Sequence, residues 1–248
     1  TVFSGDIPQG AGLSSSAALE SCFAFAMNDM FNENKIDKFE LARIGQSTEH
    51  NYCGVNCGIM DQFASVFGKK NCLMRLDCRS MEFQYFPFEP KGYKLVLVDS
   101  VVKHELVDSP YNKRRQSCER VAATIGVETL RDAEMADLEK VKSQISEEDY
   151  CRAKYVIEEK QRVLDVCDAL QAGDYDCEEL DYLNDIAKEC GVTGSRIMGG
   201  GFGGCTINLV KDELYDNFIA VAKAKFNEKY GHEPKIYDVV ISDGAHKE

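Results

Sequence analysis

An α+β fold, with helices and strands in layers rather than on a regular βαβ beat, is predicted by three features of this 248-residue sequence. A helical stretch that is apolar nearly all round follows a glycine-rich loop near the start. A hairpin pattern then closes on a proline cluster, and long helical patterns beyond it alternate with isolated strands.

Residues 14–31 carry Ala17, Ala18, Leu19, Cys22, Phe23, Phe25, Ala26, Met27 and Met30, which predicts a deeply buried helix. Residues 38–52 form a second helical pattern, with Phe39, Leu41, Ala42 and Ile44 as its apolar side, and residues 58–67 a shorter third. The alternation over 72–77 and 81–86 reads as a hairpin around a link at 78–80. Pro87 and Pro90 end it, and this breaker cluster places a domain boundary at 90/91, giving domains 1–90 and 91–248. A buried strand over 94–100 opens the second domain. Helical patterns follow at 112–125, 147–170 and 178–189, then a strand at 205–210, a helix at 212–230 and a closing strand at 236–242.

The composition, 44% apolar and 29% charged, is that of a globular chain able to bury a core, not of a disordered or fibrous one. A net charge of −13 argues against a nucleic-acid binder, which needs a basic face to displace counterions, so the expected partner is a small molecule. The eleven cysteines follow no disulfide framework, and no secretory leader or membrane-length apolar run is recognised. A cytoplasmic protein with reduced thiols, no membrane association and a monomeric state is expected. Cys53 and Cys57 are separated by three residues, but no second pair follows at a finger spacing, so they read as structural cysteines rather than a metal pair.

The densest chemical signal is the loop Gly10, Ala11, Gly12, Leu13, Ser14, Ser15, Ser16, Ala17. Two glycines free the backbone for close approach, three serines open a helix, and the unsatisfied N–H groups of a helix start favour an anion. A capped helix after a glycine turn is the plainer alternative. The loop lacks the Gly-Lys-Ser/Thr of a Walker motif, and Ser15 stands where a dinucleotide fingerprint needs its third glycine.

From Gly5 to Glu20 the sequence resembles the second motif of the GHMP kinases. Within them it is similar to the galactokinases at Glu49-His50 and at Cys57-Gly58-Ile59-Met60-Asp61-Gln62-Phe63, with Tyr111, Arg114 and Arg115 extending the likeness. The third family motif is matched at Met198-Gly199-Gly200-Gly201-Phe202-Gly203-Gly204-Cys205, and the likeness continues to Ile241–Ala245.

The resemblance implies a two-domain GHMP kinase fold with a ferredoxin-like C-terminal domain. It implies ATP and Mg²⁺ as cofactors and galactose as the sugar substrate. Asp61 becomes the catalytic residue, either accepting the proton of the sugar's anomeric hydroxyl or holding that hydroxyl in line. Ser16 and Glu49 become Mg²⁺ ligands, and Gly58, Asp61 and Tyr111 sugar contacts. Residues 10–17 cradle the phosphates, the 199–204 glycines pack on that loop, and Lys103 is a further phosphate candidate. Taken alone, Asp61 and Glu49 would read as solvated helix residues and Ser16 as a cap.

The family pattern also implies an upstream segment bearing an arginine and further sugar ligands, and a helix and loop between Asp176 and Cys177. The sequence is therefore expected to be partial. A non-catalytic sensor of sugar and ATP, or a kinase of another small acceptor such as N-acetylgalactosamine, are the alternatives; the intact Ser16-Ala17 favours an enzyme.

Overall fold

The computed structural model describes residues 2–101, 111–172, 190–198 and 204–247. The chain divides into two compact units, residues 1–107 with 175–248, and residues 108–174.

The first unit opens with the glycine-serine loop and helix α1 (Ser15–Phe31), followed by α2 (Lys38–Thr48) and α3 (Met60–Phe67). Asp37 caps α2 by accepting the Glu40 amide at 2.9 Å, which sets where that helix begins. The expected 38–52 helix is not uniform. Its last turn, Glu49–Cys53, widens into a π-helix that closes with the Val55 amide donating to the Glu49 carbonyl. Helix α3 packs Phe63 and Phe67 in a stack with centroids 4.2 Å apart, and Phe39 and Phe83 meet both rings edgewise or tilted. That cluster ties α2 and α3 to a two-stranded antiparallel hairpin, β1 (Cys72–Leu76) and β2 (Phe83–Pro87), with Met74 paired to Tyr85.

The unit continues in a four-stranded antiparallel sheet: β3 (Tyr93–Asp99), β4 (Gly194–Ile197), β5 (Cys205–Lys211) and β6 (Lys235–Val239), in the order β4-β5-β3-β6. Because strand side chains alternate, β3 turns Val96 to one face and Leu97 to the other. Val96 packs with Val210 and Phe218, the latter on the helix we label α7 (Tyr215–Tyr230). Leu97 and Cys205, with Ile207, Tyr237 and Val239 beside them, hold Ala11 of the glycine-serine loop. One sheet face thus carries a helix and the other carries the loop. The terminal stretch docks on the end of α3, where the Gly244 amide donates to the Gly68 carbonyl and that of Ala245 to the Ser65 carbonyl, each at 2.8 Å.

The second unit is helical. It holds α4 (Tyr111–Ile125), α5 (Met135–Val141) and α6 (Glu147–Ala172) around Val121, Leu130, Leu138, Val141 and Ile157. Arg120 on α4 clasps the Asp149 carboxylate on α6 through two nitrogens at 2.8 and 3.4 Å.

Three expectations change. Helix α1 is not buried all round: Leu19, Phe23, Met27, Met30 and Phe31 are between 42% and 70% exposed. Helix α5 and strand β4 had no forecast. The closing strand stops at Val239 rather than 242. The expected helix over 178–189, the joint after Asp176, Lys103 and Gly199–Gly203 lie outside the described residues.

Candidate active site

The glycine-serine loop gets its shape from left-handed backbone at Gly10 and Gly12, each with φ 72°, and at Ser14, with φ 55° and ψ 39°. For the glycines this region is free of strain; for serine it is not. Ala11, 3% exposed, anchors the loop to the sheet. Gly204, at the entry to β5, closes on it from that side: a Cβ there would lie 2.7 Å from the Ala11 carbonyl oxygen and 3.2 Å from the Gly12 nitrogen. The described end of the third glycine motif therefore touches the loop, as the resemblance implies. Ser100, just past the end of β3, fixes that contact, its amide and hydroxyl both donating to the Gly204 carbonyl. Leu13 packs in the same cluster, Ala17 is buried, and Ser15 and Ser16 open α1 with Ser16 exposed.

Asp61 stands in the first turn of α3, where the helix dipole favours a carboxylate. Its Oδ2 accepts a 2.7 Å hydrogen bond from the Ser14 hydroxyl. The loop and the Asp61 segment, 47 positions apart in sequence, thus meet at this hydrogen bond. Just upstream, the Cys57 carbonyl accepts from Gln46 Nε2 at 3.2 Å and from His50 Nε2 at 2.8 Å, which pins the approach to Gly58. Gly58 is exposed, and a Cβ on it would meet nothing within 4 Å, so the backbone there is open to a ligand.

Glu49, 5% exposed, lies in the π-turn. Its charge marks the neighbouring acids. Burial, and then Glu49, raises the Glu20 carboxyl above its usual range; the same causes raise the Cys53 thiol and push the Cys57 thiol up to about 11. A buried carboxylate that hinders ionisation around it is a centre that a hard cation would neutralise, and its oxygens are the donors Mg²⁺ prefers. Ser16 offers a hydroxyl from the first turn of α1, but no hydrogen bond joins it to Glu49 among the described residues. No group of three or more histidine, cysteine or acidic side chains forms a metal cage among the described residues.

Gln62 and Glu20 complete this layer and were not singled out in the sequence. Gln62 is 2% exposed, its Nε2 lies 3.5 Å from Glu20 Oε2, and its own Oε1 has no partner among the described residues. Gly45 makes room for them, since a Cβ there would fall 2.9 Å from Gln62 Cγ. A glutamate within the apolar run of α1 was the available signal. Tyr111 opens α4 in the second unit, and its side chain lies outside the described residues.

Residues 1–69 match the GHMP kinases N terminal domain. The galactokinase of Clostridium beijerinckii is 40% identical over 99% of this chain and 70% of its own length. That of Thermotoga petrophila is 38% identical over 98% of this chain and 74% of its own length. The structure of the Lactococcus lactis galactokinase complexed with galactose superposes with a TM-score of 0.87 at 30% identity, over 98% of this chain and 69% of that one. With the loop, the buried glutamate and the Asp61 segment arranged as above, the chain belongs to the galactokinase family of GHMP kinases.

Proposed function

We infer that this chain transfers the γ-phosphate of ATP to the anomeric hydroxyl of galactose, giving galactose 1-phosphate and ADP. The observation that carries the reading is the meeting of the glycine-serine loop with Asp61, which puts an anion cradle and a proton acceptor side by side.

In this reading the backbone of residues 10–17 holds the phosphates, supported by the positive φ at Gly10 and Gly12 and by the start of α1. The sugar lies over Gly58, whose backbone is exposed and open. Its anomeric O–H points at Asp61, which takes the proton, or holds the hydroxyl in line, as the oxygen attacks phosphorus. Glu49 and Ser16 would hold Mg²⁺, which, when bound, offsets charge on the phosphate oxygens. The buried position of Glu49 supports this, because it fixes the carboxylate without solvent to compete. Residues 1–90 supply the N-terminal domain and 91–248 the C-terminal one. The enzyme acts as a cytoplasmic monomer, apart from nucleic acid and membranes; no helix among the described residues is long and apolar enough to cross a bilayer.

The test is ADP release by the full-length protein with Mg-ATP and a panel of acceptors. Release with galactose and not with mevalonate, homoserine or N-acetylgalactosamine is the expected result. Release with one of those and none with galactose would reassign the acceptor.

A further inference from the structure

We propose that Ser14 is a positioning residue that aims Asp61, so that the phosphate loop sets the geometry of the group that receives the sugar's proton; this rests on the galactokinase reading above. Three features of Ser14 point the same way. It occupies the N-cap of α1, where a serine ordinarily accepts a hydrogen bond from an amide of the first turn, yet its side chain makes no such bond. Its backbone is left-handed, φ 55° and ψ 39°, a conformation that glycine adopts without strain and serine does not. Its hydroxyl instead donates to Asp61 Oδ2 at 2.7 Å, in the short range of charge-assisted bonds. A residue chosen for helix stability would cap the helix, and one chosen for backbone ease would be glycine. Serine does neither here, and what it does supply is the bond to Asp61.

The chemical consequence follows from where that bond falls. With Oδ2 held by Ser14, Oδ1 is left to accept the sugar proton, and the carboxylate cannot rotate between its two edges. In-line transfer needs acceptor oxygen, phosphorus and proton acceptor placed together, and small misplacements are costly. Ser14 lies within the loop assigned to the phosphates, so one residue ties the position of the transferred group to that of the base. Its part at the phosphates then falls to its backbone, since its hydroxyl is committed to Asp61.

A double-mutant cycle in the full-length enzyme tests this, with ADP release measured for wild type, Ser14→Ala, Ser14→Gly, Asp61→Ala and Ser14→Ala/Asp61→Ala. Losing a hydrogen bond to a charged group predicts a fall in kcat of roughly 10- to 100-fold in either Ser14 variant, with KM for ATP unchanged. Ser14→Gly accepts the left-handed backbone, so it guards against misfolding of Ser14→Ala, and thermal melting checks both. In the Asp61→Ala background, Ser14→Ala should have no further effect, because its role passes through Asp61. An unchanged kcat, a loss carried wholly by KM for ATP, or an equal further loss without Asp61 would each overturn the proposal. A wild type inert toward galactose would instead overturn the functional reading beneath it.

Discussion

Glu49 is the residue on which the metal assignment turns. It is buried, and after burial itself its charge is the next cause that raises the Glu20 carboxyl and the Cys53 and Cys57 thiols above their ordinary ranges. Glu49→Gln keeps the shape and removes the charge, so the Mg²⁺ concentration for half-maximal activity should rise, with partial rescue by excess Mg²⁺. An unchanged Mg²⁺ requirement would point to another ligand. Asp61, Glu49 and Ser16 are candidates in the sequence because the family resemblance assigns each a role. The contacts that surround them are not legible there. The bond from Ser14 to Asp61 spans 47 positions, and no periodicity reports a contact made by tertiary folding. Glu20 and Gln62 were passed over because a polar residue in a helical pattern is read as solvent-facing until the packing around it is known.

At the scale of elements, the loop and the sheet are fitted to each other through two glycines with different demands. Gly12 needs only its left-handed backbone: a Cβ there would have its nearest neighbours, the Met198 carbonyl oxygen and Gly204 Cα, at 3.8 and 3.9 Å. Gly204 has φ 77° and, in addition, no room, with the Ala11 carbonyl oxygen 2.7 Å from any Cβ. Gly12→Ala should therefore cost about 1–2 kcal/mol, the left-handed penalty alone. Gly204→Ala should cost more and also weaken ATP binding, because the loop must move. Urea unfolding and calorimetric titration with Mg-ATP check both; equal costs would show that the contact is soft. In the second unit, the Asp149 carboxyl is held below its ordinary value of 3.8, chiefly by Arg120 and then by Ser117. A folded-state value that is depressed gives stability that is present above 3.8 and lost as pH falls through the lowered value. Asp149→Asn should cost about 1–3 kcal/mol near neutrality and flatten the acid limb of a stability profile. A mutant profile parallel to wild type would remove Asp149 as the cause. The missed elements have physical reasons at this scale too. Helix α5 starts from a capping box that uses Glu134 and Asp137 in place of the usual serine or threonine. Strand β4 has four residues, begins at a glycine, and is specified by its pairing with β5.

For the whole molecule, the α+β order was legible because strand alternation and helical patterns are local, whereas burial was not. The helix 14–31 is apolar around most of its circumference, and in this chain the stripe from Leu19 to Phe31 still faces outward. The relatives it matches are longer, the chain spanning 70–74% of their length. None of the ten described cysteines is in a disulfide, and burial, then Asp99, pushes the Cys205 thiol up to about 12. The central claim, that the loop and Asp61 together direct phosphate to one hydroxyl of one sugar, is read most directly in the product. Phosphorus NMR of full-length enzyme with Mg-ATP and galactose should show ADP and galactose 1-phosphate in equal amounts, the new phosphorus signal split by the anomeric proton. Phosphate on another hydroxyl, or inorganic phosphate with the sugar unchanged, would contradict it.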